Sequence, residues 1–171
     1  MEDDFDKLID TYSRDIFRFV RAHTRDEAEA EDLTQEVFVR AYRHRETVFR
    51  ADNIKAWLFR VAVNLCRDHA RQIRRRPLVY LREVPDVAAS PGVEKMAEER
   101  ENARALMQMV LRLPVKLKEI VLLYYVEDCS IEEIASMLAI PLSTVKTRLH
   151  RARNQLRRIG GAIDDEATRM D

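Results

Sequence analysis

The sequence predicts an all-α protein, built as two small helical domains joined by a flexible linker. Three observations carry that expectation. The 171 residues include only 3 glycines and 5 prolines, too little turn material for a sandwich of short strands. Apolar residues recur at three- and four-residue spacing along most of the chain, the period of a helix with one buried face. Between residues 77 and 93 that period disappears, and Pro77, Pro85, Pro91 and Gly92 collect there with the small residues Ala88, Ala89 and Ser90.

The first helix places Phe5, Leu8, Ile9, Tyr12, Ile16, Phe19 and Val20 on one face. A second is expected from about Asp26 to Arg45, with Ala30, Leu33, Val37 and Ala41 inside and acids crowding its first turns, where the helix dipole favours them. Residues 46–53 (ETVFRADN) lose the period and read as a loop. Ile54, Leu58, Val61, Ala62 and Leu65 restore it in a helix that runs to about Arg75 and stops at Pro77. Beyond the linker, 96–113 and 116–126 read as helices separated at Pro114, followed by 131–138 and 144–159 and a frayed tail. The expected organisation is a first domain over 1–76, a linker over 77–94, a second domain over 95–160 and a tail over 161–171. Domains of this size are marginal alone, so docking on a partner is expected to order them.

With 46% hydrophobic and 35% charged residues the chain suits a soluble protein with real cores. No stretch approaches the roughly 20 apolar residues of a membrane span, and the start Met1-Glu2-Asp3-Asp4 is the opposite of a signal peptide, so no membrane insertion and a cytoplasmic location are expected. Cys66 and Cys129 lie far apart with no CxxC and no histidine cluster; they read as small buried residues, and no metal, cofactor or catalytic residue is expected. The formal net charge is 0, with 30 Lys and Arg against 30 Asp and Glu, but the charge is segregated. Residues 26–36 (DEAEAEDLTQE) are acidic and hold no base, whereas 141–159 (PLSTVKTRLHRARNQLRRI) are basic and hold no acid.

The basic stretch belongs to a helix-turn-helix pattern. Ile131, Ile134, Ala135 and Leu138 form one short amphipathic helix; Val145, Leu149, Ala152 and Leu156 form the inner stripe of the next; AIPLS is the turn. Ser130 is placed to cap the first helix in a capping box with Glu133, and Ser143 or Thr144 to cap the second. The outward side of the second helix presents Lys146, Thr147, His150, Arg151, Asn154, Arg157 and Arg158, flanked by Arg148 and Arg153. Such a helix fits the major groove with its first turns nearest the bases; the competing reading is a solvated basic helix in an ordinary bundle.

On the helix from Ile54, Arg60, Asn64, Arg67, Arg71 and Arg74 line the side away from the apolar face, offering guanidinium groups to phosphates and one amide to a base. Trp57 sits at the border of the two faces, suited to the core or to stacking. The acids of 26–36 satisfy a helix start, and their crowding also suggests a basic protein surface as partner.

Two segments, EDLTQEVFVRAYR with NIKAWLFRVAVNLCRDHARQIRRR and LPVKLKEIVLLYYVEDCSIEEIASMLAIPLSTVKTRLHRARNQLRR, resemble regions 2 and 4 of the extracytoplasmic-function (ECF) bacterial RNA polymerase sigma factors. The resemblance covers all but the linker and tail. It implies a non-enzymatic subunit that binds core RNA polymerase and directs promoter recognition and transcription initiation, under the control of an anti-sigma factor. It implies that Asp32, Gln35, Glu36 and Phe38 dock on the beta-prime clamp, with the beta flap as a further contact. It places Arg60, Asn64, Arg67 and Arg71, with loop residues 47–53, on the melted minus-10 element, and Lys146, Thr147, Arg148, His150 and Arg151 on the minus-35 element. The alternative is a two-domain helix-turn-helix regulator, but residues 1–76 show neither alternating strands nor a phosphate-accepting aspartate after one.

Overall fold

The computed structural model describes residues 2–74 and 95–160, and every regular element among them is helical. The first domain comprises α1 (Glu2–Arg21), α2 (Glu27–Arg43), α3 (Arg45–Arg50) and α4 (Ile54–Arg74). The second comprises α5 (Lys95–Leu111), α6 (Val115–Val121), a π-helical turn (Leu122–Val126), α7 (Ile131–Leu138) and α8 (Leu142–Gly160). The expected linker and tail lie outside the described residues, as do the side chains of Arg74 and of the first residues of α5.

Each helix of the first domain carries its own start and stop signals. Glu2, Asp3 and Asp4 in the first turn of α1 and Arg18 and Arg21 in its last both oppose the helix dipole. The Asp26 side chain accepts from the Glu29 amide and caps α2. Asn53 caps α4, its Oδ1 accepting from the Ala56 amide at 2.9 Å. Helices α1, α2 and α4 pack on one another around Ile16, Phe19, Val37, Leu58, Phe59 and Ala62, all essentially inaccessible. Phe19 meets Phe59 edge to face with centroids 5.5 Å apart, a contact worth about 1 kcal/mol beyond its buried area.

Three local expectations are corrected. Residues 46–53 are not a loop throughout, because Arg45–Arg50 form α3. The His44 carbonyl accepts from the amides of Thr47 and Val48, restarting the helix, and Val48 anchors it in the core. One buried side chain in six residues leaves no period to detect. Helix α8 begins at Leu142, so Ser143 and Thr144 lie inside it and cap nothing: the Pro141 carbonyl accepts from the amides of Thr144 and Val145, and Ser143 instead accepts through its own carbonyl from the Thr147 hydroxyl at 2.9 Å. The helix expected to run to Val126 loosens at Leu122 into a π turn, where the Glu127 amide reaches back five residues to the Leu122 carbonyl.

In the second domain α8 packs on α5, α6 and α7, burying Val145, Leu149, Ala152 and Leu156. The two domains meet where α4 packs on α7.

Candidate functional site

The turn between α7 and α8 is built by backbone chemistry. Ser130 and Glu133 form the expected capping box: the Ser130 hydroxyl accepts from the Glu133 amide at 3.1 Å, and the Glu133 carboxylate accepts from the Ser130 amide at 2.8 Å. At the far end Ala139 turns into the left-handed region at φ 53°, and the amides of Ala139 and Ile140 return to the carbonyls of Ser136 and Ala135. Pro141 then launches α8. Because Val145 and Leu149 are anchored inside, Lys146, Thr147, His150 and Arg151 are exposed on the outward side and Arg148 is half-buried beside them. No acid lies between 141 and 159 to offset that face. Arg153 is committed elsewhere: its Nε donates to the Tyr125 hydroxyl at 2.8 Å, tying α8 to the π turn.

The cationic stripe of α4 is divided in use. Asn64 is exposed, and Arg71 pairs only loosely with Asp68 at 3.3 Å on the surface. Arg60 and Arg67 instead turn toward the second domain. Arg60 donates to the carbonyls of Ser136 (3.0 Å) and Met137 (3.2 Å) at the negative end of α7. Arg67 grips the Glu119 carboxylate, with Nε 3.0 Å from Oε2 and a second bond from Nη2 to Oε1, and this carboxylate raises the guanidinium pKa further despite the opposing effect of burial. Trp57 is partly buried against the core, its ring 6.4 Å from that of His44.

The acids of α2 are likewise of two kinds. Burial works to raise the Glu29 carboxyl, but hydrogen bonds from the Arg25 side chain and amide, together with nearby His69, outweigh it and hold the pKa below the usual value. Glu36 pairs with Arg40 at 2.8 Å, whereas Asp32 and Gln35 are exposed. Phe38 is the exception among the four polymerase-facing candidates. It is 8% exposed and belongs to the core, showing only an edge to a groove of about 540 Å³ between α1 and α2 that Phe5, Ile9, Gln35 and Tyr42 also line. The apolar groups that do reach solvent there are Val39 (41%) and Tyr42 (46%). Both fall off the apolar period of α2, which is the signal that could have singled them out.

Burial pushes the Cys66 thiol up to about 12 and the Cys129 thiol up to about 11, so both stay protonated and unreactive near neutrality. Among the described residues no group of three or more His, Cys, Asp or Glu is placed to hold a metal ion, and no helix is long and apolar enough to cross a membrane.

Residues 8–76 match the family described as Sigma-70 region 2, and residues 103–156 match Sigma-70, region 4. The chain is 32% identical over 170 residues to the ECF RNA polymerase sigma factor SigW of Bacillus subtilis (strain 168), covering 92% of this chain and 89% of that protein. Among solved structures, the fold is similar to that of the sigma factor RpoE in complex with the anti-sigma factor NepR from Bartonella quintana. That likeness has a TM-score of 0.74 at 22% identity, over 94% of this chain and 99% of the other. It is also similar to CnrH in complex with the cytosolic domain of CnrY, with a TM-score of 0.67 at 20% identity over 96% and 92% of the two chains.

Proposed function

The chain belongs to the ECF family of RNA polymerase sigma factors, and from that premise we propose a division of labour among its surfaces. Residues 1–76 form the domain that binds core polymerase and the minus-10 element, 77–94 the connecting linker, and 95–160 the domain that binds the minus-35 element. Asp32, Gln35 and Glu36, with Val39 and Tyr42 beside them, offer an acidic and apolar surface to a basic surface of the polymerase clamp. Phe38 shapes the floor of that surface from within the core. Asn64, Arg60, Arg67 and Arg71 serve the melted strand. Lys146, Thr147, Arg148, His150 and Arg151 read the minus-35 bases from the major groove. The beta flap would hold the second domain. The role is one of binding and not of catalysis, and its place is the cytoplasm, where polymerase and promoter are found.

The single observation that carries this reading is the outward face of α8, where exposed Lys146, Thr147, His150 and Arg151 stand on a helix anchored by a capped helix-turn-helix with no acid on it. Control by an anti-sigma factor extends to this chain from RpoE, the similar fold seen with its anti-sigma factor NepR. The test is run-off transcription from genomic fragments with purified core polymerase. Initiation at discrete start sites only when the chain is added is expected. Tight duplex binding by the chain alone, with no effect on transcription by core enzyme, would replace this reading with that of a helix-turn-helix regulator.

A further inference from the structure

The contact between the domains is made by polar groups that the proposed function needs elsewhere. Arg60 and Arg67 hold the Ser136 and Met137 carbonyls and the Glu119 carboxylate. Asn53, which caps α4, donates through Nδ2 to Glu133 Oε1 at 3.2 Å, so the glutamate of the α7 capping box also spans the domains. Lys55 donates to the Glu127 carbonyl. On the far side of the contact Arg18 of α1 grips the Glu127 carboxylate with both Nε (3.1 Å) and Nη2 (3.0 and 3.1 Å). The side chains of Glu119 and Glu127 are only 1% and 2% exposed, whereas Arg18 remains 43% exposed.

We propose that the Arg18–Glu127 and Arg67–Glu119 pairs are a latch that closes the free chain on itself, covering its minus-10 surface with its own second domain. The proposal rests on the minus-10 assignment of Arg60 and Arg67 made above. A guanidinium bound to a carboxylate and to helix-end carbonyls cannot at the same time bind phosphate, so closure and strand binding exclude one another. Such a latch is reversible for a physical reason. Burying an ion pair yields little net stability, because what the carboxylate gains from arginine it loses in hydration, so a small differential affinity for the open form shifts the population. Closure does not reach the other two surfaces: Asp32 and Gln35 of α2, and Lys146, Thr147, His150 and Arg151 of α8, are exposed in the closed chain. The closed protein therefore presents its polymerase-facing surface while withholding its strand-binding one, which imposes an order in which polymerase is met before melted DNA.

The test uses the full chain carrying Asp10→Cys and Glu132→Cys, two exposed positions, labelled with a fluorescent donor and acceptor; the native thiols are buried and unreactive. Energy transfer is compared between the latch variant Glu119→Gln with Glu127→Gln and a control of equal charge, Glu99→Gln with Glu101→Gln, whose positions are exposed. High transfer in the parent and the control, and a clear loss in the latch variant, is expected. Binding of a labelled single-stranded DNA of ~12 nucleotides should then tighten about tenfold in the latch variant relative to the control. Equal transfer in all three proteins overturns the latch. Loss of transfer with no gain in DNA affinity leaves the latch standing and instead overturns the minus-10 placement of Arg60 and Arg67. Should the glutamine pair lose helix by circular dichroism, Arg18→Ala, at a half-exposed position on α1, is measured in the same way, and retained transfer there overturns the latch.

Discussion

Glu29 accepts from the Arg25 amide and guanidinium and faces His69 at 3.2 Å, so one acid of a crowded run is structural while its neighbours Glu31 and Asp32 stay exposed. Its folded pKa lies below the usual value, so it stabilises the fold above the ordinary carboxylate range, and that contribution is lost as pH falls through the lowered folded pKa. Glu29→Gln is expected to cost about 1 kcal/mol in urea unfolding at neutral pH, with the cost shrinking as the solution is acidified below that range. At the recognition helix, position along the axis decides the effect. Arg151 lies within about two turns of the start of α8, where side chains reach base edges; its replacement by alanine should cost about 1–3 kcal/mol and relax discrimination at one or two minus-35 base pairs. Arg157, further along, should touch phosphate, so Arg157→Ala should weaken all sequences alike and lower the salt slope by about one. Holoenzyme affinities for single-base promoter variants at several salt concentrations measure both; base preferences altered by Arg157→Ala and untouched by Arg151→Ala would reverse the placement of the helix.

At the scale of elements, α7 ends on a residue chosen against local preference. Ala139 sits at φ 53° and ψ 46°, where a side chain clashes with its own backbone and glycine does not. Ala139→Gly is therefore expected to raise stability by about 0.5–1 kcal/mol in urea melts, with promoter preference unchanged because the hydrogen bonds that orient α8 come from backbone atoms. Helix α2 makes the complementary case. Its inner stripe holds the fold and its outer acids do not, so charge reversal at Asp32 and Glu36 should leave the helical circular dichroism spectrum intact while abolishing co-purification with core polymerase. A folded double variant that still co-purifies would remove α2 from the polymerase interface.

For the whole molecule, the acidic first domain and the closed arrangement both work against DNA binding by the free chain. In about 0.15 M salt the isolated protein is expected to bind duplex promoter DNA weakly, and the holoenzyme far more tightly, by titration of labelled promoter fragments. Tight, sequence-specific binding by the free chain would show that its cationic helices outweigh its acids.

Helix positions, the capping box at Ser130 and the outward face of α8 were legible in the residues, because each depends on neighbours within one or two turns: a period of three and four, a side chain three residues from an amide, a stripe that leaves its opposite face outside. The same local rule missed α3, whose single buried Val48 makes no period, and misplaced the start of α8, because the proline carbonyl that opens it has no side-chain signature. Family resemblance correctly gathered Asp32, Gln35 and Glu36 on one helix, yet gave no warning that Phe38 would be drawn inward and leave Val39 and Tyr42 to meet solvent. That outcome depends on α1, twenty or more residues away in sequence, which supplies Phe5 and Ile9 as the other wall. What only the tertiary structure decided is which cations of α4 are committed: the sequence shows one stripe of like residues, and the closeness of Glu119 and of the α7 carbonyls divides it. Helical period is a property of the chain's own covalent spacing, whereas an ion pair between residues 52 apart exists only where two separate helices bring it together.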